Sequence, residues 1–109
     1  MQKNRLLPIG ITSFDTASLA VGYLPINPLG IDEPCCILRI INNSTADVTV
    51  SFDGVNNNDV VVSGDTLQLY APILVYDRAD FKKGTVIYLK GAGVGVGYVY
   101  LSGYYVSLH

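Results

Sequence analysis

The sequence predicts an all-β protein, a single antiparallel β-sandwich of jelly-roll type with an extended N-terminal arm. Short apolar segments of alternating polarity are separated by polar turns at intervals of about ten residues, which is typical of antiparallel strands. No segment has a convincing helical period, and 109 residues suffice for one two-layer core. We expect residues 1–34 to form the arm and an edge strand, and residues 35–109 to form the sandwich core of one domain.

The N-terminal third is apolar but interrupted by proline and glycine. Residues 11–16 predict a weak strand, and Ala17 to Leu24 predict a better one. Three prolines and a glycine then fall between positions 25 and 34, which favours an extended arm over a helix. This arm could lie across its own sandwich or across a neighbouring chain. We expect it to contact another chain through its large apolar residues Leu24, Ile26, Leu29 and Ile31.

The middle of the chain, from Cys36 to Leu69, predicts an antiparallel meander of four strands joined by three polar turns. The first turn is rich in short polar side chains that bond to local backbone, and the second begins at Asp53-Gly54. With one strand face pointing inward, the predicted core of the sandwich contains Ile37, Ile41, Val48, Val50, Phe52, Leu67, Leu69, Val86, Tyr88, Val99 and Leu101.

The last third predicts a hairpin across a glycine-rich turn. Thr85 to Lys90 is rich in β-branched and aromatic residues, and Tyr98 to Tyr105 forms the last strand. The glycines between positions 91 and 97 do not complete a phosphate-binding motif, so we expect them to permit a tight turn or a close backbone approach. Before this hairpin, residues 73–76 suggest the start of a strand and residues 77–84 suggest a solvated charged loop.

The composition is low in charge, since only 15% of the residues are charged whereas about 25% is usual. Either part of the surface is covered in an assembly, or the surface is polar without being charged. A net charge of −2 without a basic cluster argues against a nucleic-acid partner. No apolar run is long enough to span a membrane, and the N-terminus lacks the apolar core of a signal peptide.

The reactive residue types do not form an enzymatic pattern. The single histidine is His109, and the nearest pair of acids, Asp77 and Asp80, lies in the charged loop. The acidic and amide residues from Asp53 to Asp59 fail the calcium-loop spacing and are first of all hairpin residues. Adjacent Cys35-Cys36 predict two reduced thiols of a protein made in a cytoplasm. We therefore expect no enzyme activity, no cofactor and no catalytic or metal site.

The tyrosines are the remaining candidates for binding. The chain has eight tyrosines and no tryptophan, and four of the tyrosines lie on the last strand: Tyr98, Tyr100, Tyr104 and Tyr105. Alternation places Tyr98 and Tyr100 on one face, whereas the last two tyrosines point to opposite faces. An exposed tyrosine-rich strand could bind a protein partner or a sugar, because the ring offers a large contact area at small entropic cost. The other interpretation is that these rings cap the open edges of the core.

From Arg5 to Tyr105 the chain resembles small virion structural proteins of tailed bacteriophages. The resemblance is carried by an opening RLLPI, CILRIINNS from Cys36, VSFDG from Val50, GDTLQL from Gly64, KGT from Lys83 and YLSGYY from Tyr100. One departure is that the position after Asp59, aromatic and flanked by proline in sequences of this kind, is valine here. The departure concerns a hairpin tip and leaves the expected fold unchanged.

The resemblance implies an all-β structural component of a virion, made in the host cytoplasm. Such proteins serve as capsid decoration or cement, or as accessory pieces of the tail or head-tail connector. The expected partners are other virion proteins, either the major capsid protein or tail and neck proteins, together with further copies of the chain itself. The competing function from another class is a carbohydrate-binding module for host attachment, which rests on the tyrosines and the predicted sandwich.

Overall fold

The computed structural model describes residues 4–71, 81–92 and 95–108, and it is all-β. The described strands form two antiparallel sheets. In the five-stranded sheet, β9 (Gly97–Leu108) is flanked on one side by β1 (Asn4–Pro8) and β2 (Thr12–Asp15), and on the other by β4 (Ile37–Ser44) and then β7 (Thr66–Tyr70). The four-stranded sheet has the order β3 (Leu24–Pro25), β8 (Tyr88–Lys90), β5 (Val48–Ser51) and β6 (Asp59–Val61).

The four strands predicted in the middle of the chain are present, but the predicted meander is wrong. β4 pairs with β7 in the five-stranded sheet, whereas β5 pairs with β6 in the four-stranded sheet. β4 does not pair with β5, and β6 does not pair with β7. Instead, β4 and β5 follow each other along one arm of a single long hairpin, and β6 and β7 follow each other along the other arm. This hairpin bends where it passes from one sheet to the other. A polar interruption in a strand can mark such a bend as well as a reversal of the chain, and alternation alone does not separate the two.

The bend of the hairpin is built around Asn42, whose side chain is buried with 1% of its surface exposed. Its Nδ2 donates hydrogen bonds to the carbonyl oxygens of Ala46 at 2.7 Å and Val61 at 2.8 Å. Its Oδ1 accepts from the hydroxyl of Ser44 at 2.5 Å. The amide thus bridges both arms of the hairpin and satisfies backbone carbonyls that the bend removes from a regular ladder. Asn42, which belongs to the run of short polar residues predicted as the first turn, is therefore a buried structural joint.

The glycine-rich segment also connects the two sheets, so the predicted hairpin from Thr85 to Tyr105 is wrong. β8 lies in the four-stranded sheet and β9 in the five-stranded sheet. The close backbone approach expected of the glycines is confirmed at Gly95, where a Cβ would lie 2.5 Å from the Cβ of Ala46. At Gly97 the φ angle is 114°, and a Cβ would overlap the carbonyl oxygen of Asn43. At Gly97, only glycine can adopt this φ angle and also leave room for the carbonyl oxygen of Asn43.

The core is one cluster that contains side chains of both sheets. Val48, Val50, Val99 and Leu101 are buried, as the sequence predicted. In two strands the predicted face is wrong by one residue, because Leu38 and Ile40 are buried in place of Ile37 and Ile41, and Ile87 and Leu89 in place of Val86 and Tyr88. Leu67 and Leu69 are half-buried against the core, and Phe52 is exposed beyond the end of β5. Continuous apolar runs carry no signal for which face is inner.

The N-terminal segment takes part in both sheets. β1 and β2 pair with β9, and β2 confirms the weak strand predicted there. The better strand predicted from Ala17 to Leu24 is wrong: a short 3-10 turn spans Thr16–Ser18, and the Asp15 carboxylate caps it by accepting from the backbone amide of Ala17 at 2.9 Å. The strand start predicted at residues 73–76 and the first part of the charged loop predicted at residues 77–84, with Asp77 and Asp80, lie outside the described residues, as does His109. In the described part of that loop, residues 82–84 are exposed. None of the described helical turns could cross a membrane.

Candidate interaction surfaces

The most distinctive surface is the side of the five-stranded sheet that points away from the core, which we call the outer face. Strand pairing fixes its composition, because residues opposite one another on neighbouring strands point to the same side. Cross-strand rows on this side run from Leu6 and Val106 at one end to Asp15, Tyr98 and Asn43 at the other. The apolar and aromatic members of the outer face are Leu6, Ile37, Ile41, Tyr70, Tyr98, Tyr100, Tyr104 and Val106.

Three of the four tyrosines that the sequence selected lie on the outer face. The rings of Tyr98 and Tyr100 pack against each other, with centroids 6.3 Å apart and planes tilted by 37°. Tyr98 is exposed, whereas Tyr100 and Tyr104 are half-buried. Tyr105 points to the opposite side and packs against the core, as alternation predicted. It is therefore a core residue and not a member of this surface.

Sequence reasoning missed the aliphatic part of the outer face. Ile37 and Ile41 were assigned to the core, yet they point outward and lie beside Tyr104 and Tyr100, respectively. Tyr70 on the edge strand is 65% exposed and stands next to Ile37. The signal was present in the run from Ile37 to Ile41, since a nearly continuous apolar strand is typical of strands covered on both faces. One face of that strand is covered by the core, which leaves the other for a partner.

A row of polar groups crosses the middle of the outer face. Arg39 on β4 stands between Ser102 on β9 and Gln68 on β7. Ser102 is buried, with 7% of its surface exposed, and its hydroxyl oxygen has no hydrogen-bond partner among the described residues. Arg39 is half-buried and forms no hydrogen bond or ion pair with any described residue. A cation and an unsatisfied hydroxyl are thus adjacent in this row, with Ile37 and Tyr104 on one side of it and Ile41 and Tyr100 on the other.

The four arm residues predicted to contact another chain are divided by the structure. Ile26 and Ile31 are buried in the chain's own core, 3% and 4% exposed, where backbone hydrogen bonds to Ile87 and Thr85 hold them. Leu24 in β3 is half-buried. Leu29 is 97% exposed and lies at the rim of a cleft of about 250 Å³. Of the four, Leu29 therefore offers the largest free surface for a second chain.

The loop at the tip of the long hairpin is held together by Asp53. Its Oδ1 accepts from the backbone amides of Val55 and Asn56, both at 2.8 Å, and from the hydroxyl of Ser51 at 2.8 Å. Its Oδ2 accepts from the side-chain amide of Asn56 at 2.6 Å. These backbone and side-chain hydrogen bonds lower the pKa of the Asp53 carboxyl well below its usual range. The carboxylate thus stabilises the turn, in the structural role that the sequence predicted for it.

The reactive side chains are not gathered into a metal-binding arrangement within residues 4–71, 81–92 and 95–108. Cys35 and Cys36 are both present as thiols, the first buried and the second half-buried. The Cys36 thiol donates to the carbonyl oxygen of Tyr104 at 3.6 Å.

Protein-family models and curated proteins were both searched, and neither search gave a match to the chain.

Proposed function

We propose that this chain is a non-enzymatic structural protein of a tailed-phage particle, and that it works by burying surface against neighbouring virion proteins. The observation that carries the proposal is the outer face of the five-stranded sheet. The free side of an antiparallel sheet is usually polar, whereas this one carries four tyrosines and several aliphatic residues. The resemblance in sequence to small virion proteins supports the same function.

The size of the outer face is appropriate for a contact surface. Adjacent strands lie about 4.8 Å apart and rise about 3.4 Å per residue, so the paired region measures roughly 20 by 30 Å. Only part of that area is apolar, because polar residues such as Ser13, Asn43 and Gln68 share the face, so the apolar part falls within the range of about 300–600 Å² found for the largest patch on ordinary monomers. The whole face is somewhat below the roughly 800 Å² that each partner contributes to a standard interface. We infer that the outer face forms most of one interface, with neighbouring loops completing it.

The leading version is a capsid decoration or cement protein bound to the major capsid protein, with copies of the chain in contact with each other. Contacts that exist only in the assembled shell stabilise it by mass action, because they must be broken before the shell opens. The N-terminal arm would add to these contacts through the exposed side chain of Leu29. The second version is an accessory protein of the tail or head-tail connector, in which the same surfaces fasten larger rings.

The finer fold belongs to this proposal as well. We infer a jelly-roll-like sandwich, because one core contains side chains of both sheets and the hairpin of β4 to β7 passes from one sheet to the other. Folded hairpins of this kind are the building units of double-sheet jelly rolls. The virion location, synthesis in the host cytoplasm and the lack of enzymatic activity are parts of the same proposal.

A carbohydrate-binding module is the second candidate function. It is favoured by the packed rings of Tyr98 and Tyr100 on an accessible face, since aromatic rings are suitable platforms for sugars. A glycan array with the purified chain separates the two classes. Specific glycan binding that is lost on Tyr98→Ala would favour the module and count against the virion role.

The copy number of the chain in purified particles tests the leading proposal. Quantitative mass spectrometry of particles from the encoding phage should find hundreds of copies for a shell protein, and about six or twelve for a tail or neck protein, because rings follow cyclic symmetry. Absence of the chain from purified particles would refute the structural role altogether.

A further inference from the structure

We propose that the outer face docks on a protein partner through a carboxylate that binds Arg39 and accepts a hydrogen bond from Ser102. The inference rests on the proposed function and deepens it, because it names the chemistry of the partner surface. Its basis is the juxtaposition of the half-buried residue Arg39 and the buried, unsatisfied hydroxyl of Ser102, which are opposite each other on β4 and β9.

The side chains around Arg39 favour an anionic partner. Among the described residues of the outer face, the other charged side chain is that of Asp15. It lies beside Tyr98 at the far end of the sheet, about 13 Å from Arg39 along the strand direction. Ile37, Ile41 and the neighbouring tyrosine rings would exclude water once a partner covers them. A covered cation without a counter-charge is strongly unfavourable, so the covering surface must supply an anion. The guanidinium fork suits a carboxylate, which it can bind through two parallel hydrogen bonds.

Ser102 supplies the second, independent observation. A hydroxyl that is nine-tenths buried without a partner costs stability in the free chain, and such groups in native proteins call for an explanation. Both side chains lie in one cross-strand row of the outer face, so a carboxylate that docks on Arg39 and displaces the side chains covering the Ser102 hydroxyl can accept from both groups. A two-fold axis through Arg39 would place Arg39 of one copy against Arg39 of the other, which is repulsive. An axis between Arg39 and Asp15 would pair these two residues, but the Asp15 carboxylate already accepts from the backbone amide of Ala17, so we favour a separate partner and test self-association below. Neutral sugar hydroxyls would satisfy Ser102 but leave the charge of Arg39 unbalanced.

The test measures binding of the purified, labelled chain to particles assembled without it, by co-sedimentation at about 0.15 M salt. Arg39→Gln and Arg39→Glu should weaken binding by about 30-fold or more, as expected when one member of a covered charge pair is lost. Lys83, which is exposed on a loop, provides the matched controls Lys83→Gln and Lys83→Glu, and these should bind like the unaltered chain. Arg39→Lys should bind with intermediate affinity, because it keeps the charge but loses the fork.

Ser102→Ala separates binding from folding. It should keep or raise the melting temperature of the free chain, because it removes an unsatisfied buried group, and it should weaken binding by about tenfold. If Ser102 had only a structural role, its replacement would not weaken binding while keeping or raising the melting temperature. Each Arg39 variant is checked by its thermal melt, so that loss of binding is not confused with unfolding.

The outcomes separate the two proposals. If the unaltered chain does not bind the particles, the virion role fails, and the docking inference fails with it. If the unaltered chain binds and Arg39→Glu binds equally well, the docking inference alone is overturned. Self-association of the free chain that depends on Arg39, seen by analytical ultracentrifugation, would also overturn the assignment of a separate carboxylate-bearing partner.

Discussion

Replacing Asn42 by alanine should destabilise the fold strongly, although its neighbour Asn43 should tolerate the same change. Asn42→Ala removes the two hydrogen bonds that its Nδ2 donates to carbonyl oxygens and the acceptor of the Ser44 hydroxyl. An unsatisfied buried polar group costs about 1–3 kcal/mol. The carbonyl of Ala46 keeps one longer hydrogen bond from Ser44, at 3.3 Å, so its loss is partial. We expect a fall of about 2–3 kcal/mol in the free energy of unfolding.

Urea denaturation followed by circular dichroism measures this change. With a denaturant slope of about 1–3 kcal/mol/M, the midpoint should fall by roughly 0.7–3 M. Asn43→Ala is the matched control, because Asn43 is exposed on the same strand, and it should change stability by less than about 0.5 kcal/mol. Equal effects of the two substitutions would refute the interpretation of Asn42 as the joint between the sheets.

Three further predictions concern a glycine, a carboxylate and the thiols. Gly95→Ala should lower the free energy of unfolding, measured by urea denaturation, by about 1–3 kcal/mol or more, because its Cβ would lie 2.5 Å from the Cβ of Ala46. Gly10→Ala should be neutral, because the space around Gly10 is open, and equal effects of the two substitutions would contradict the close approach at Gly95. Because folding lowers the pKa of Asp53, its carboxylate contributes to stability above about pH 4, and this contribution is lost as the pH falls further. The difference in stability between the unaltered chain and Asp53→Asn should therefore shrink on acidification, and a difference that stays constant with pH would contradict this role of Asp53. Thiol titration under denaturing, non-reducing conditions should find both cysteines reactive, and finding no reactive thiol would contradict the reduced state. In the folded chain the half-buried Cys36 should react before the buried Cys35.

The sequence was sufficient to predict most strand positions but not how the strands are paired. β4 to β7 occupy the expected segments because polar turns interrupt apolar alternation there. The polar run around Asn42 predicts a reversal of the chain, but the structure has a bend there, because the same short polar residues occur in exposed turns and in buried bends. Which role they take depends on contacts distant in sequence, such as that between Asn42 and Val61.

The candidate surface was predictable only in part. Tyr98, Tyr100 and Tyr104 were selected because tyrosine is amphipathic and alternation places residues on defined faces. Arg39 and Ser102 became candidates only through cross-strand pairing, since residues 63 positions apart have no relationship visible in the sequence. Ile37 and Ile41 were assigned to the core, because an apolar residue facing a partner and one facing the core look alike in the sequence.

The most direct test compares solvent access of the outer face in the free chain and in the particle. Hydroxyl-radical footprinting read by mass spectrometry reports oxidation at single residues, and tyrosine is a sensitive target. We expect Tyr70, Tyr98 and Tyr100 to be oxidised in the free chain and protected in the particle, while Val55 at the hairpin tip, 78% exposed, serves as an internal reference. Equal oxidation of the three tyrosines in the free and particle-bound chain would contradict the outer face as the surface by which this protein assembles.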